Sequence, residues 1–149
     1  MKLAVNLIVH TLNAAVSEGL ALATASGIEA SAAYDVFDES VVAAPFVKYK
    51  RAAFLDPELP VAMRIDTVLK DLNLILGLGQ STGVPLTAAE GVAELFAQAQ
   101  VAGYESQDMS ALFRFISQSL TSYFFTLIHS EVVYFCAYFF VMCFVRVFS

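Results

Sequence analysis

Residues 2–26, KLAVNLIVHTLNAAVSEGLALATAS, contain no proline and are rich in alanine and leucine, and Ser26-Gly27 supplies a stop. Such a run predicts one long helix, apolar around most of its circumference. At 100° per residue, Lys2, Asn6, His10, Asn13 and Ser17 fall within about 80° of one another. The pattern predicts a buried central rod with one wet polar stripe that lines a cleft. A secretory leader also fits this stretch, with Lys2 as its charged start and Ala21-Leu22-Ala23 as a cleavage site. Asn6, His10 and Asn13 interrupt the apolar core a leader needs, and their helix-face spacing favours the helix.

Further helices follow. Ala30 to Ser40 reads as a short one. Val41 to Arg51 passes through Pro45 to a basic cluster, Lys48, Lys50 and Arg51, expected to be a solvated face, as are Asp35, Asp38 and Glu39. Asp56-Pro57-Glu58-Leu59-Pro60 is a loop by its prolines. From about Val61 to Thr82, Ile65, Val68, Leu69, Leu72 and Leu76 recur at helical spacing, with Gly83 as a stop and Pro85 behind it. Thr87-Ala88-Ala89-Glu90 has capping-box spacing and opens a helix with Val92, Leu95, Phe96 and Ala99 facing inward, ended by Gly103. Asp108 or Ser106 caps a last helix through Ala111, Leu112, Phe115 and Ile116. No stretch alternates as a strand, so the expected class is all-α. Gly77-Leu78-Gly79-Gln80-Ser81-Thr82-Gly83 superficially suggests a nucleotide loop. Thr82 stands where a dinucleotide fingerprint needs its third glycine and a helical pattern precedes it, so a helix C-terminus is expected.

The chain is 58% hydrophobic and 15% charged, greasier than an ordinary soluble domain. The excess is local. Residues 120–149 hold 22 apolar residues of 30, ten of the 19 Phe and Tyr, and only two charges, Glu131 and Arg146. Residues 1–119 therefore read as an acidic domain that carries all of the net charge of −6. Three readings of the tail stay open: a membrane anchor over residues 120–148, a buried or interface helix, and a translated frameshift of T-rich DNA. The unbroken run Val132 to Val145 falls short of the roughly 20 residues that span a bilayer, and Glu131 would be costly in an anchor. Recovery of the expressed chain without detergent would count against an anchor.

The acidic balance and scattered Lys and Arg exclude a nucleic-acid binder. Two cysteines, Cys136 and Cys143, and two histidines, His10 and His129, form no CxxC or HExxH, so no metal site is expected.

Two motifs matter together. Lys2-Leu3-Ala4-Val5-Asn6 gives K-x-x-x-N at the head of the first long helix, and Lys70-Asp71-Leu72 lies on the second. With Gly83-Val84-Pro85-Leu86-Thr87 and Asp108-Met109-Ser110-Ala111-Leu112, residues 1–118 resemble the C-terminal domain of the β-hydroxyacid dehydrogenase family. That family includes 3-hydroxyisobutyrate dehydrogenase and tartronate semialdehyde reductase, and its helical domain is 6-phosphogluconate dehydrogenase C-terminal-like, with a long central helix. Residues 119–149 stand apart as a hydrophobic C-terminal helix.

The resemblance implies an N-terminal Rossmann domain that binds NAD or NADP, and an all-α domain that closes over it and supplies a homodimer contact. It implies Lys2 as catalytic general acid and base, because hydride leaves carbon only as a proton leaves the adjoining oxygen. It implies Asn6 as the substrate-orienting residue for a small hydroxy acid or aldehyde acid, and Lys70 with Asp71 at the cofactor end of the cleft. Without it, Lys2 reads as a solvated helix start, Lys70-Asp71 as surface charge and His10 as a hydrogen-bonded structural residue. The Rossmann fingerprint and the family's glycine- and serine-containing substrate motif are absent from this sequence. The expectation is a severed, cytoplasmic C-terminal half, membrane-associated only through its tail, which does not turn over substrate alone. A non-catalytic, membrane-anchored interaction protein on the same scaffold is the alternative.

Overall fold

The proline-free N-terminal run folds as one helix, α1 (Lys2–Ala25), which stops where Ser26 turns and Gly27 takes a φ of 85°. The structure, a computed structural model, describes residues 1–119. The hydrophobic tail 120–149, and with it the expected C-terminal helix and membrane anchor, lies outside the described residues. Residues Met1–Ser117 form one unit. After α1 come α2 (Ala30–Glu39), α3 (Pro45–Leu55), α4 (Ile65–Thr82) and α5 (Thr87–Ala99). A turn through Gln100–Tyr104, a tight turn at Met109–Ala111 and a helical stretch over 112–119 follow. There is no strand among the described residues, and the fold is all-α.

Helix α1 is apolar nearly all round because it runs between two cores. On one side Ala14 joins Ile65, Val68 and Leu72 of α4, Phe96 of α5, and Met109 and Leu112. On the other side Val16 and Leu20 join Ala33 and Tyr34 of α2 and Val47 and Phe54 of α3. Each large side chain fully buried in this way stabilises the fold by about 1.5–3 kcal/mol. By length and composition α1 would also pass for a membrane span. Its packing against α2, α4 and α5 makes it the core helix of this unit.

Several expectations are corrected. The polar stripe of α1 is wet only in its first turn: Lys2 is exposed and Asn6 half-buried, while His10, Asn13 and Ser17 are buried. The buried hydroxyl and the amino group of the amide are paired, Asn13 Nδ2 donating to the Met109 carbonyl at 2.9 Å and Ser17 Oγ to the Asn13 carbonyl at 2.8 Å, while Asn13 Oδ1 has no hydrogen-bond partner among the described residues. Helix α4 starts at Ile65 rather than near Val61, because the preceding backbone is bonded elsewhere. Met63 O accepts from Met109 N at 2.8 Å, and Ile65 N donates to Gln107 O at 3.0 Å. The expected capping box of α5 does not form: Leu86 is the N-cap and no side chain caps the helix.

The basic cluster is not one solvated face. Lys48 is exposed, but Lys50 is 2% exposed and its Nζ lies 2.7 Å from Asp108 Oδ1 and 2.9 Å from Oδ2. Arg51 bridges Asp35 at 2.7 Å and Asp38 at 3.3 Å, so those two carboxylates are paired. Its guanidinium also lies over the Tyr34 ring.

Asp108 is the expected cap, accepting from Ser110 N at 3.0 Å, and it does more. Its Oδ2 also accepts from Ala62 N at 2.9 Å and Met63 N at 3.2 Å. Burial by itself would raise this carboxyl. The Lys50 ammonium, then the N–H groups of Ser110, Met63 and Ala62, outweigh burial and hold it lowered to about 2.

The glycine-rich stretch is the end of α4, as expected. Gly83 takes the left-handed conformation, φ 71°, that closes the helix. Gly79 is needed for close approach: a Cβ there would stand 2.6 Å from Leu86 Cδ1.

Lys50→Met leaves a buried carboxylate without its cation and lowers unfolding free energy by about 3–5 kcal/mol in urea titrations. Because the folded carboxyl lies below its unfolded value, the stabilisation is complete above about pH 4 and is lost as pH falls toward 2, a change of about 2 kcal/mol. Gly79→Ala destabilises by about 1–3 kcal/mol through overpacking. Gly77→Ala on the same helix, with nothing within 4 Å of the new Cβ, stabilises by about 0.5–1 kcal/mol; thermal melting of the pair checks the contrast.

Candidate functional site

The head of α1 packs against the middle of α4, and this junction gathers the chemistry. Asn6 and His10, one helical turn apart, both face α4. Asp71 reaches back from α4: its Oδ2 accepts from Asn6 Nδ2 at 2.8 Å across 65 positions of sequence, and His10 Nε2 lies 3.8 Å from the same oxygen. The second distance is too long for a hydrogen bond. His10 is 1% exposed and neither ring nitrogen has a hydrogen-bond partner among the described residues. Burial lowers its pKa, and the Asp71 carboxylate partly offsets this, so the ring is held neutral.

The sequence-derived site residues divide. Asn6 and Asp71 are brought together. Lys2 stands one turn before Asn6 at the start of α1, exposed and without a hydrogen bond or ion pair among the described residues. Lys70 is also exposed, and it lines a shallow depression of about 490 Å³ with Asp66, Leu69, Asn73, Leu74 and Gln100. Consecutive helical residues diverge by 100°, so Asp71 turns to α1 while Lys70 turns away from it. His10 was not among the expected site residues, although its place four positions after Asn6 was the signal that could have included it.

A larger depression lies elsewhere, about 780 Å³ around Asn73, Gly77, Gly79, Gln80, Gly83 and Glu90. It is not the chemical site: its one ionisable lining group is a carboxylate, and it has no cation to meet a phosphate. The groups that hold a dinucleotide diphosphate are a glycine loop between a strand and a helix N-terminus. Helix N-termini are present but no strand precedes any of them among the described residues, so the described residues form no such cradle for NAD or NADP. No cluster of three or more His, Cys, Asp or Glu suited to a metal occurs among them either.

Comparison with known proteins gives a consistent picture. The family described as "NAD-binding of NADP-dependent 3-hydroxyisobutyrate dehydrogenase" matches residues 1–116. Glyoxylate/succinic semialdehyde reductase 1 of Arabidopsis thaliana is 33% identical over 112 residues, 75% of this chain and 39% of that protein. Cytokine-like nuclear factor N-PAC of Gallus gallus is 28% identical over 114 residues, 76% of this chain and 21% of that one. A crystal structure of 3-hydroxyisobutyrate dehydrogenase from Salmonella typhimurium has a TM-score of 0.72 and 26% identity, over 76% of this chain and 40% of that one. The chain thus spans two fifths or less of the length of these relatives.

The neutral, buried His10 gives a prediction. Its folded pKa lies below its unfolded value, so the unfolded state binds the extra proton first and stability falls as pH drops through about 6.5. Melting temperature is expected to decline between about pH 7 and about pH 5, and His10→Gln to flatten that part of the profile.

Proposed function

The chain belongs to the family described as NAD-binding of NADP-dependent 3-hydroxyisobutyrate dehydrogenase, and from that premise we propose that residues 1–119 are the C-terminal, substrate-facing helical domain of an NAD(P)-dependent hydroxy acid dehydrogenase. The observation that carries this reading is the 2.8 Å bond from Asn6 to Asp71, which joins the K-x-x-x-N motif to the Lys70-Asp71-Leu72 motif in one place. Lys2 is free at the head of α1, where its ammonium gives a proton to, or takes one from, the oxygen of a small hydroxy acid or aldehyde acid. Asn6, one turn on, orients that substrate with its amide, and Asp71 holds the amide until the substrate engages it. Lys70 serves the cofactor end of the cleft, with Asp71 as its neighbour in sequence. The dinucleotide itself is held by residues other than 1–119, consistent with relatives at least twice as long as the matched segment. A homodimer with a cytoplasmic location completes the reading.

A second reading, a helical interaction protein without catalysis on the same scaffold, is favoured by one observation, the similarity to a protein named as a nuclear factor.

The purified chain is expected to show no oxidation of NADH or NADPH with tartronate semialdehyde or related aldehyde acids, because no cradle for the dinucleotide is present in residues 1–119. Appreciable turnover that disappears in Lys2→Ala would overturn the division of labour proposed here while confirming Lys2 as the acid.

A further inference from the structure

Asp71 is approached from α1 by two donors aimed at one oxygen. Asn6 Nδ2 donates to Oδ2 at 2.8 Å, and His10 Nε2 stands 3.8 Å from that same atom. The polar atoms of His10 are buried and have no hydrogen-bond partner among the described residues, a condition that native interiors rarely leave unrelieved. The group placed to relieve it is Asp71 Oδ2, about 1 Å beyond bonding reach. Asp71 is also the charged group whose field acts on the ring. A carboxylate oxygen has two lone pairs and could accept both donors. In this structure it takes only the amide.

We propose that Asn6 and His10 are alternating donors to Asp71 Oδ2. His10 is then a positioning residue: when the Asn6 amide turns from Asp71 to a ligand at the head of α1, the imidazole closes on the carboxylate and holds it. The ligand step rests on the reading of Asn6 as the substrate-orienting residue; the alternation itself does not. Burial disfavours the charged ring, and Nε2 is the nitrogen that stands toward Asp71, so the donor in the closed state is the neutral Nε2–H tautomer and no proton is transferred. One donor serves Asp71 in each state. The carboxylate is never left bare, and the link between α1 and α4 is kept whether or not the amide is engaged. The exchange also relieves the buried imidazole only in the ligand-engaged state, so it favours release of the amide.

The full chain labelled with ¹⁵N-histidine tests this, in a His129→Gln background that leaves His10 as the single histidine. Removing the competing amide with Asn6→Ala is expected to move the His10 Nε2–H proton downfield and to slow its exchange with solvent about tenfold. Adding Asp71→Leu to that variant is expected to abolish both changes, which a merely structural histidine would not do. Thermal melting establishes that each variant is folded, and Asn6→Leu, similar in size and without a donor, replaces Asn6→Ala if the latter melts early. A His10 signal that is the same with and without the Asn6 amide overturns the proposal. Addition of 3-hydroxyisobutyrate to the parent chain is the second arm. A downfield shift like that of Asn6→Ala supports the ligand-driven exchange. The variant effect without any ligand effect supports the alternation and overturns the substrate reading of Asn6.

Discussion

The carboxylate of Asp108 joins three parts of the chain that share no continuous helix. It takes two hydrogen bonds from Lys50 of α3, one each from Ala62 and Met63 ahead of α4, and one from Ser110 in its own turn. A buried charge is tolerable only when its partners satisfy it, and here an ammonium and three backbone N–H groups do so together. The consequence is positional. The backbone over 62–66 is fastened to residues 105–109, so α4 starts at Ile65 and not earlier. The same turn receives Asn13 of α1 at the Met109 carbonyl, and Ser110 Oγ donates to the Ala53 carbonyl of α3.

That fastening determines what the head of α1 can meet. Asn13 holds the middle of α1 near the Asp108 turn, Val68 and Leu72 pack α4 in the same core as Ala14, and Asp71 is thereby turned toward Asn6 and His10. The candidate site therefore rests on a helix pair whose relative placement is set by buried polar bonds as well as by apolar area. Polar bonds of this kind specify position more sharply than area does, because they are directional. The exposed Lys2, by contrast, is held by no partner among the described residues and is free to engage a ligand.

Much of the fold was legible from the chain alone because it depends on local rules. Proline absence and Ser26-Gly27 bounded α1, Gly83 closed α4, and Asp108 capped the last turn. What was not legible depends on distance. Nothing near Lys50 in sequence announces a carboxylate 58 positions away, so it read as surface charge. The stripe on α1 was identifiable as a face, yet the burial of His10, Asn13 and Ser17 comes from α4 and the Met109 turn, which sequence periodicity does not report. The capping box of α5 failed because Leu86 takes the cap position. At the site, the structure brings Asn6 of one motif to Asp71 of the other, whereas the neighbouring Lys70 points away from α1 because a helix turns adjacent residues apart. His10 went unassigned because the carboxylate near it, Asp71, is on another helix.

The proposed function has one central claim: a hydroxy acid is received at the head of α1 by Lys2 and Asn6, in a unit whose dinucleotide is held elsewhere. Calorimetric titration of the full chain with 3-hydroxyisobutyrate, beside Lys2→Ala, tests it most directly. The account predicts binding that weakens at least about tenfold on loss of the ammonium, the worth of one charge-assisted hydrogen bond. Heat of binding that is absent in the parent chain, or equal in the two proteins, would contradict it.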